Sequence, residues 1–171
     1  MAATTIESGK GNGNQRKTMA ADVTRAELQR RIGDQLGVSE WFVVDQERVN
    51  RFADVTLDHQ FVHVDPEKAR ATPFGGTIAH GLLTLSLIVH LCFEFVPKLA
   101  STKLLVNYGF DKVRFSAPVK VGSRIRAVGS LAEVSERRPG QVLIKMNVTI
   151  EIENEDKPAL VAEWLSLHVV G

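Results

Sequence analysis

The fold turns on residues 78–97, IAHGLLTLSLIVHLCFEFVP, one long apolar run closed by Pro97. Its start at His80-Gly81 reads as a helix opening, and the proline stops it, so the run predicts a helix over about Ala79 to Phe95. Seventeen helical residues span about 25 Å. His80, His90 and Glu94 interrupt the apolar surface, and their cost at mid-bilayer favours a buried core helix over a membrane span.

Downstream of this helix the pattern changes. KLLVNYGFDKVRF (103–115), SRIRAVGSLAEV (123–134), QVLIKMNVTIEIE (141–153) and ALVAEWLSLHVV (159–170) are β-rich runs split by Gly, Pro and Asn–Glu–Asp turns. In the third, Val142, Ile144, Met146, Val148 and Ile150 alternate with mostly polar neighbours, the period of a half-buried strand. A twelve-residue strand is about 40 Å long and twists, so strands that outrun the helix can curl around it and bury it nearly all round. The expected class is α+β, a long antiparallel sheet wrapped on a central apolar helix.

Upstream, TRAELQRRIGDQLG predicts a short amphipathic helix carrying Leu28, Ile32 and Leu36, with Thr24 as N-cap and Gly37 as stop. SEWFVV (39–44) reads as a first strand. Asp45 can cap a second helix whose apolar face holds Val49, Phe52 and Ala53. Leu57 to Pro66 reads as irregular, because Pro66 disfavours helical geometry at Asp65. Residues 1–20, rich in Gly, Asn and basic side chains, read as a disordered arm ahead of a single domain over 21–171.

The bulk numbers narrow the class further. A chain of 171 residues with 44% hydrophobic and 24% charged content suits one globular domain. Twenty-one Lys+Arg against twenty Asp+Glu give a net charge of +1, which supplies no attraction to nucleic acid or an anionic membrane. The single cysteine, Cys92, precludes an intramolecular disulfide and reads as a core thiol. No secretory signal is visible, so a cytoplasmic protein is expected.

The chemistry-bearing stretch is Asp58-His59-Gln60-Phe61-Val62-His63-Val64-Asp65-Pro66, followed by the helix opening at Ile78-Ala79-His80-Gly81. Asp58 and His63 can point from one loop into one pocket. A free carboxylate and a free imidazole differ in pKa by about two units, so the pair can hold a proton acceptor and a proton donor together near neutral pH. The first amides of the helix have no partner within it, and Gly81 carries no Cβ, so a carbonyl oxygen can approach that backbone closely. Hydration of an enoyl thioester needs these three things: a base for water, an acid for the α-carbon, and donors for the thioester oxygen.

FADVTLDHQFVHVDPEKARATPFGGTIAHGLL (52–83) resembles the signature of MaoC-like (R)-specific enoyl-CoA hydratases, the hydratase 2 motif, and NYGFDKVRFSAPVKVGSRIR (107–126) resembles the strand motif of their NodN-like branch. The resemblance covers nearly everything from Trp41 onward. It implies a hotdog fold, a homodimer with the site at the subunit interface, Asp58 and His63 as the catalytic pair, and Gly81 N–H as oxyanion donor. It also implies an acyl-CoA substrate, an (R)-3-hydroxyacyl-CoA product and no further cofactor. Three positions depart from the family's commonest loop: Leu57, Gln60 and Phe61 stand where Gly, Asn and Pro are usual. Val89, with Ser86 nearby, occupies a helix position at which some members carry a serine.

Competing readings attach to the same residues. His59, His63 and Asp65 offer metal ligands, but His59 and His63 share a face only on a helix, which Val62, Val64 and Pro66 oppose, so no metal is expected. His80 reads as packing or orienting the helix start, with a substrate contact as its sharper role. Arg114 is either a sheet-surface residue or a partner for coenzyme A phosphates. Trp41 and Trp164 read as core or interface residues. At the level of function, the rivals are thioester hydrolysis on the same fold and acyl-thioester binding without turnover.

Overall fold

The computed structural model describes residues 22–171; the arm expected over residues 1–20 lies outside the described residues. Thr24 opens α1 (Arg25–Gln29) with a capping box, its hydroxyl accepting from the Glu27 N–H while the Glu27 carboxylate accepts from the Thr24 N–H. Leu28 is buried as its spacing predicts, but the chain turns at Gly33 (φ 96°), ahead of the Gly37 stop expected. Leu36 lies on strand β1 (Gln35–Val38), and Ile32 is exposed. A spacing of four serves a strand as well as a helix, because strand side chains return to the same face every second residue. SEWFVV supplies only the two-residue strand β2 (Phe42–Val43).

Asp45 caps α2 (Gln46–Thr56) by accepting from the Arg48 N–H at 2.7 Å, and Val49 and Ala53 are buried on its inner face. The helix ends at Leu57, which adopts left-handed geometry (φ 60°, ψ 22°). Only glycine takes that conformation without Cβ strain, and Leu57 is 83% exposed, so its side chain contributes little packing there. Leu57→Gly is therefore expected to stabilise the protein by about 0.5–1 kcal/mol. A thermal melt checks it: the midpoint should rise by roughly 2 °C, and a fall would show that the leucine side chain matters more than the strain. The segment from Leu57 to Pro66, expected to be irregular, contains one helical turn, α3 (Phe61–Val64), and a second turn, α4 (Pro66–Arg70), follows it. Pro66 ends the first and serves as the opening residue of the second, where its missing N–H costs nothing. Asp65 caps α4 by accepting from the Lys68 N–H at 3.0 Å; that bond and the Lys68 ammonium hold its carboxyl below the usual range.

The central helix is α5 (Gly81–Ser86) followed by α6 (Ile88–Leu91), joined through Leu87, which keeps right-handed helical angles. It is shorter than the expected Ala79–Phe95 helix, and beyond Leu91 it tightens into turns with i→i−3 bonds at Phe93 and Phe95. The Ser86 hydroxyl donates back to the Leu82 carbonyl at 2.8 Å, a contact that competes with the helical ladder near the joint. Nor is this helix buried nearly all round. Leu83, Leu87, Ile88, Leu91 and Cys92 face the sheet, while Leu82, Ser86, Val89 and Phe93 form an exposed stripe at spacings of four, three and four. One sheet covers one side of a helix, and the other side waits for something else.

Four long strands follow: β3 (Thr102–Phe115), β4 (Arg124–Arg138), β5 (Gln141–Ile152) and β6 (Leu160–Val170). The six-stranded sheet is antiparallel throughout, in the order β1-β4-β5-β6-β3, with β2 also on β4. The predicted alternation holds: Val142, Ile144, Met146, Val148 and Ile150 are all buried on the helix side. Phe95 closes the core between β1 and β4, against Gly37 and Gly129. Burial pushes the Cys92 thiol up to about 12, the inert core thiol expected. Among the described residues no helix is long and apolar enough to cross a membrane.

One buried histidine makes stability depend on pH. His168 on β6 lies between the Thr102 and Ser166 hydroxyls at 3.3 and 3.4 Å, and burial pushes its pKa down from 6.5 to about 4. The unfolded chain therefore binds a proton between pH 6.5 and 4 that the folded chain refuses. This contribution is full above pH 6.5 and is lost as pH falls toward 4, by about 3 kcal/mol in total. Melting curves from pH 7 to 4 should fall more steeply for the wild type than for His168→Phe; parallel curves would remove His168 as the cause.

Candidate active site

Asp58 and His63 come from the segment between α2 and α4, and Gly81 from the start of α5. Hydrogen bonds bring these pieces together. The Ile78 N–H donates to the Val62 carbonyl at 3.0 Å, and the Ala79 N–H to the Val119 carbonyl at 2.8 Å, pinning the helix approach between α3 and the strand connection. Gln46, in the first turn of α2, donates its side-chain amide to the His63 carbonyl at 2.7 Å and accepts from the buried Thr77 hydroxyl at 2.6 Å. Gln46 and Thr77 thus fix the backbone on both sides of the site. Sequence reading missed them, because a side-chain bond spanning seventeen or thirty-one residues has no local period; the unpaired polar position on an otherwise charged first turn is the one hint.

His63 is nearly buried, and its Nδ1 lies 2.7 Å from the Ile78 carbonyl. A carbonyl only accepts, so Nδ1 carries the proton and Nε2 is the nitrogen left for chemistry. The Asp58 side chain is 54% exposed, and its carboxylate accepts from the Gln60 N–H at 3.4 Å in a local turn. One ligand-type atom each from Asp58, His63 and His80 lie within 4.8 Å of one another. Two hydrogen bonds of about 2.8 Å to a shared water span that distance. The expected pair is brought together.

His63, Gly81 and Thr84 line a cleft of about 400 Å³ whose other walls are Phe74, Ile78, Phe115, Pro118, Val119 and Ala159. Its lining is mostly apolar, with the His63 imidazole and the start of α5 among its walls. A Cβ added to Gly81 would stand 3.1 Å from the Phe115 ring, so the glycine keeps aromatic and backbone in close approach.

Two other candidates are placed differently from their sharper readings. His80 is only 3% exposed and gives Nε2–H to the Asp58 carbonyl at 2.9 Å, so its ring is sealed from ligand. Arg114 pairs across the strands with exposed Val161, whereas its neighbour Phe115 pairs with buried Leu160. Partners across a sheet share a face, so Arg114 lies on the outer surface, away from the cleft, where it lines a shallow groove with Lys112, Asn147 and Thr149. His59 points elsewhere, 3.7 Å from Asp54, and Asp65 is spent as a cap.

The Asp58–His63–His80 trio has the composition of a metal site as well as of a proton relay. Two features favour the relay. The His80 nitrogen closest to the Asp58 carboxylate already donates to a carbonyl. The His63 and His80 rings stack at 3.8 Å with planes 26° apart, so their lone pairs lie in two nearly parallel planes, a poor arrangement for converging on one ion.

Comparisons with known proteins bear on the family and the fold. The family described as MaoC like domain matches residues 27–155. Nodulation protein N of Rhizobium leguminosarum bv. viciae is 48% identical over 147 residues, covering 85% of this chain and 91% of its own. 3-Hydroxyacyl-thioester dehydratase Z of Mycobacterium tuberculosis (strain H37Rv) is 48% identical over 144 residues, covering 84% and 95%. Among solved structures, R-Hydratase PhaJ1 from Pseudomonas aeruginosa superposes with a TM-score of 0.65 at 23% identity, covering 88% of each chain. The monoamine oxidase regulatory protein from Archaeoglobus fulgius gives a TM-score of 0.73, also at 23% identity, over 88% of this chain and 96% of that one. At such identities the likeness concerns the fold, which is the hotdog. The matched stretch runs from α1 through β5, taking in the loop of Asp58 and His63 and the helix that begins at Gly81, and the chain belongs to the MaoC-like domain family.

Proposed function

We propose that the protein hydrates a trans-2-enoyl-CoA to the (R)-3-hydroxyacyl-CoA, or catalyses the reverse dehydration. Family membership supports chemistry on acyl thioesters, and relatives named as dehydratases support hydration and dehydration in particular. The observation that carries the reading is the meeting of the Asp58 carboxylate and the His63 ring within 4.8 Å, beside a cleft that also exposes Gly81.

The thioester carbonyl lies against the Gly81 N–H, and the acyl chain runs along the apolar wall. Asp58 and His63 hold one water. As its oxygen bonds to the β-carbon, one of the pair takes the water proton. The C=C electrons move toward the thioester, whose oxygen is stabilised by the helix-start amide. The protonated partner then delivers a proton to the α-carbon, and the two groups exchange roles in dehydration. The Ile78 carbonyl keeps Nε2 as the working nitrogen of His63 throughout. Every proton has a donor and an acceptor among these groups, so the reading needs no metal or organic cofactor.

The site is completed by a second copy of the chain. Among the described residues strand β3 is an open sheet edge, and the exposed stripe of the central helix lies beside it: Val89 and Phe93 share a cavity of about 230 Å³ with Leu105, Asn107 and Trp164. An unpaired edge flanked by exposed apolar side chains is where a matching chain docks. Sedimentation should give a particle of two chains, and a monomer of undiminished activity would count against this part.

The decisive assay follows crotonyl-CoA by two signals at once. Loss of enoyl absorbance without thiol release is the expected result. Thiol release would make the protein a thioesterase instead, and binding without either signal would make it a carrier of acyl thioesters.

A further inference from the structure

We infer that His80 is a positioning residue that holds Asp58, His63 and Gly81 in register with one another, an inference that rests on the hydration reading above. Its side chain reaches two of the three groups, and its backbone is bonded to the third. Nε2–H donates to the Asp58 carbonyl at 2.9 Å, tying down the peptide that carries the carboxylate. The ring stacks on His63 at 3.8 Å and is backed by Phe52 at 5.0 Å. Its own peptide precedes Gly81 at the N-cap of α5, and its carbonyl accepts from the Thr84 N–H at 3.2 Å.

The stack supplies what the His63 hydrogen bond cannot. With Nδ1–H donated to Ile78, the imidazole can still rock about that bond, and rocking swings Nε2 along an arc away from the shared water. A flat ring pressed against the imidazole face blocks this motion. Proton transfer is sensitive to such angles, because hydrogen bonds weaken steeply as they bend.

A second observation points the same way. His80 Nδ1 is buried with no hydrogen-bond partner among the described residues. A buried polar atom left unpaired costs stability, and phenylalanine would fill the same space without that cost. A residue that is locally unfavourable for folding yet joins three parts of one site is the pattern of a functional constraint.

The test compares two variants with the wild type and Asp58→Asn. His80→Leu removes both the ring face and the donor, while His80→Phe restores the face alone. The expected kcat losses on crotonyl-CoA are about 100-fold for Leu and about 10-fold for Phe, with KM within about threefold and the melting temperature of the Phe variant close to wild type, the relief of Nδ1 offsetting the lost bond to Asp58. In ¹⁵N-labelled protein, the His63 Nδ1 proton should give a slowly exchanging signal in the wild type and in His80→Phe, lost in His80→Leu. A kcat for His80→Leu within twofold of wild type, a loss carried by KM or by unfolding, or a His63 signal unchanged in His80→Leu would each overturn the inference. If the wild type itself fails to hydrate the substrate, the hydration reading falls, and the His63 signal alone still decides whether His80 positions that ring.

Discussion

Asp58→Asn and His63→Gln are each expected to lower enoyl-thioester hydration by about a thousandfold, equivalent to about 4 kcal/mol of transition-state stabilisation, while leaving the fold intact. Asparagine keeps the shape of the Asp58 side chain but cannot accept a proton at neutral pH. That side chain is half-exposed, with a long bond from the Gln60 N–H and His80 Nε2 at 4.0 Å, so little folding energy goes with it. Glutamine at position 63 can still offer an N–H toward the Ile78 carbonyl but has no second nitrogen to work with. With both groups acting on one water, as proposed, the double variant should lose scarcely more than either single one, since half a relay is no relay. Initial rates from enoyl absorbance check this, with circular dichroism confirming the fold. Near-wild-type rates in both variants would end the acid–base assignment.

The largest effect on stability is expected at Phe95. The ring is almost completely buried, and Gly37 and Gly129 make room for it: a Cβ on Gly37 would stand 2.6 Å from the Phe95 Cβ, and one on Gly129 would stand 2.5 Å from its Cε2. Phe95→Ala should cost about 4 kcal/mol, the usual range for emptying a buried aromatic site, measured by urea denaturation. The two glycines then separate. Gly129→Ala clashes with the far end of the ring, so in the Phe95→Ala background it should cost much less. Gly37→Ala meets the Cβ that alanine retains, so its cost should persist. Equal relief at both positions would show that the backbone around Phe95 yields more readily than these distances imply.

Much of this arrangement can be read from the chain, for reasons that differ by element. The alternation from Val142 to Ile150 has one physical meaning, a strand with one wet face, and the structure keeps it. Asp45 capping a helix with Val49 and Ala53 inside is equally local. The Asp58–His63 spacing was legible because both residues sit on one short segment. What escaped reading depends on contacts between distant segments: the Gln46 grip on the His63 carbonyl, the stacking of His80 on His63, and the open stripe along the central helix. Leu36 shows a different limit, since its spacing from Ile32 fits two secondary structures. The side of the sheet taken by Arg114 was hidden by irregular pairing, because each inserted residue in β3 reverses which side chains face inward.

Those insertions shape the edge at which two copies of the chain are proposed to meet. The register of β3 against β6 slips at three places, between Thr102 and Leu104, Asn107 and Gly109, and Phe110 and Lys112. A straight edge would offer its amides and carbonyls to any extended peptide, whereas a thrice-kinked edge matches only a neighbour bent in the same rhythm. On the proposed pairing of two copies, the irregularity would act as a fidelity filter, favouring the same sequence over generic β-aggregation along the β3 border.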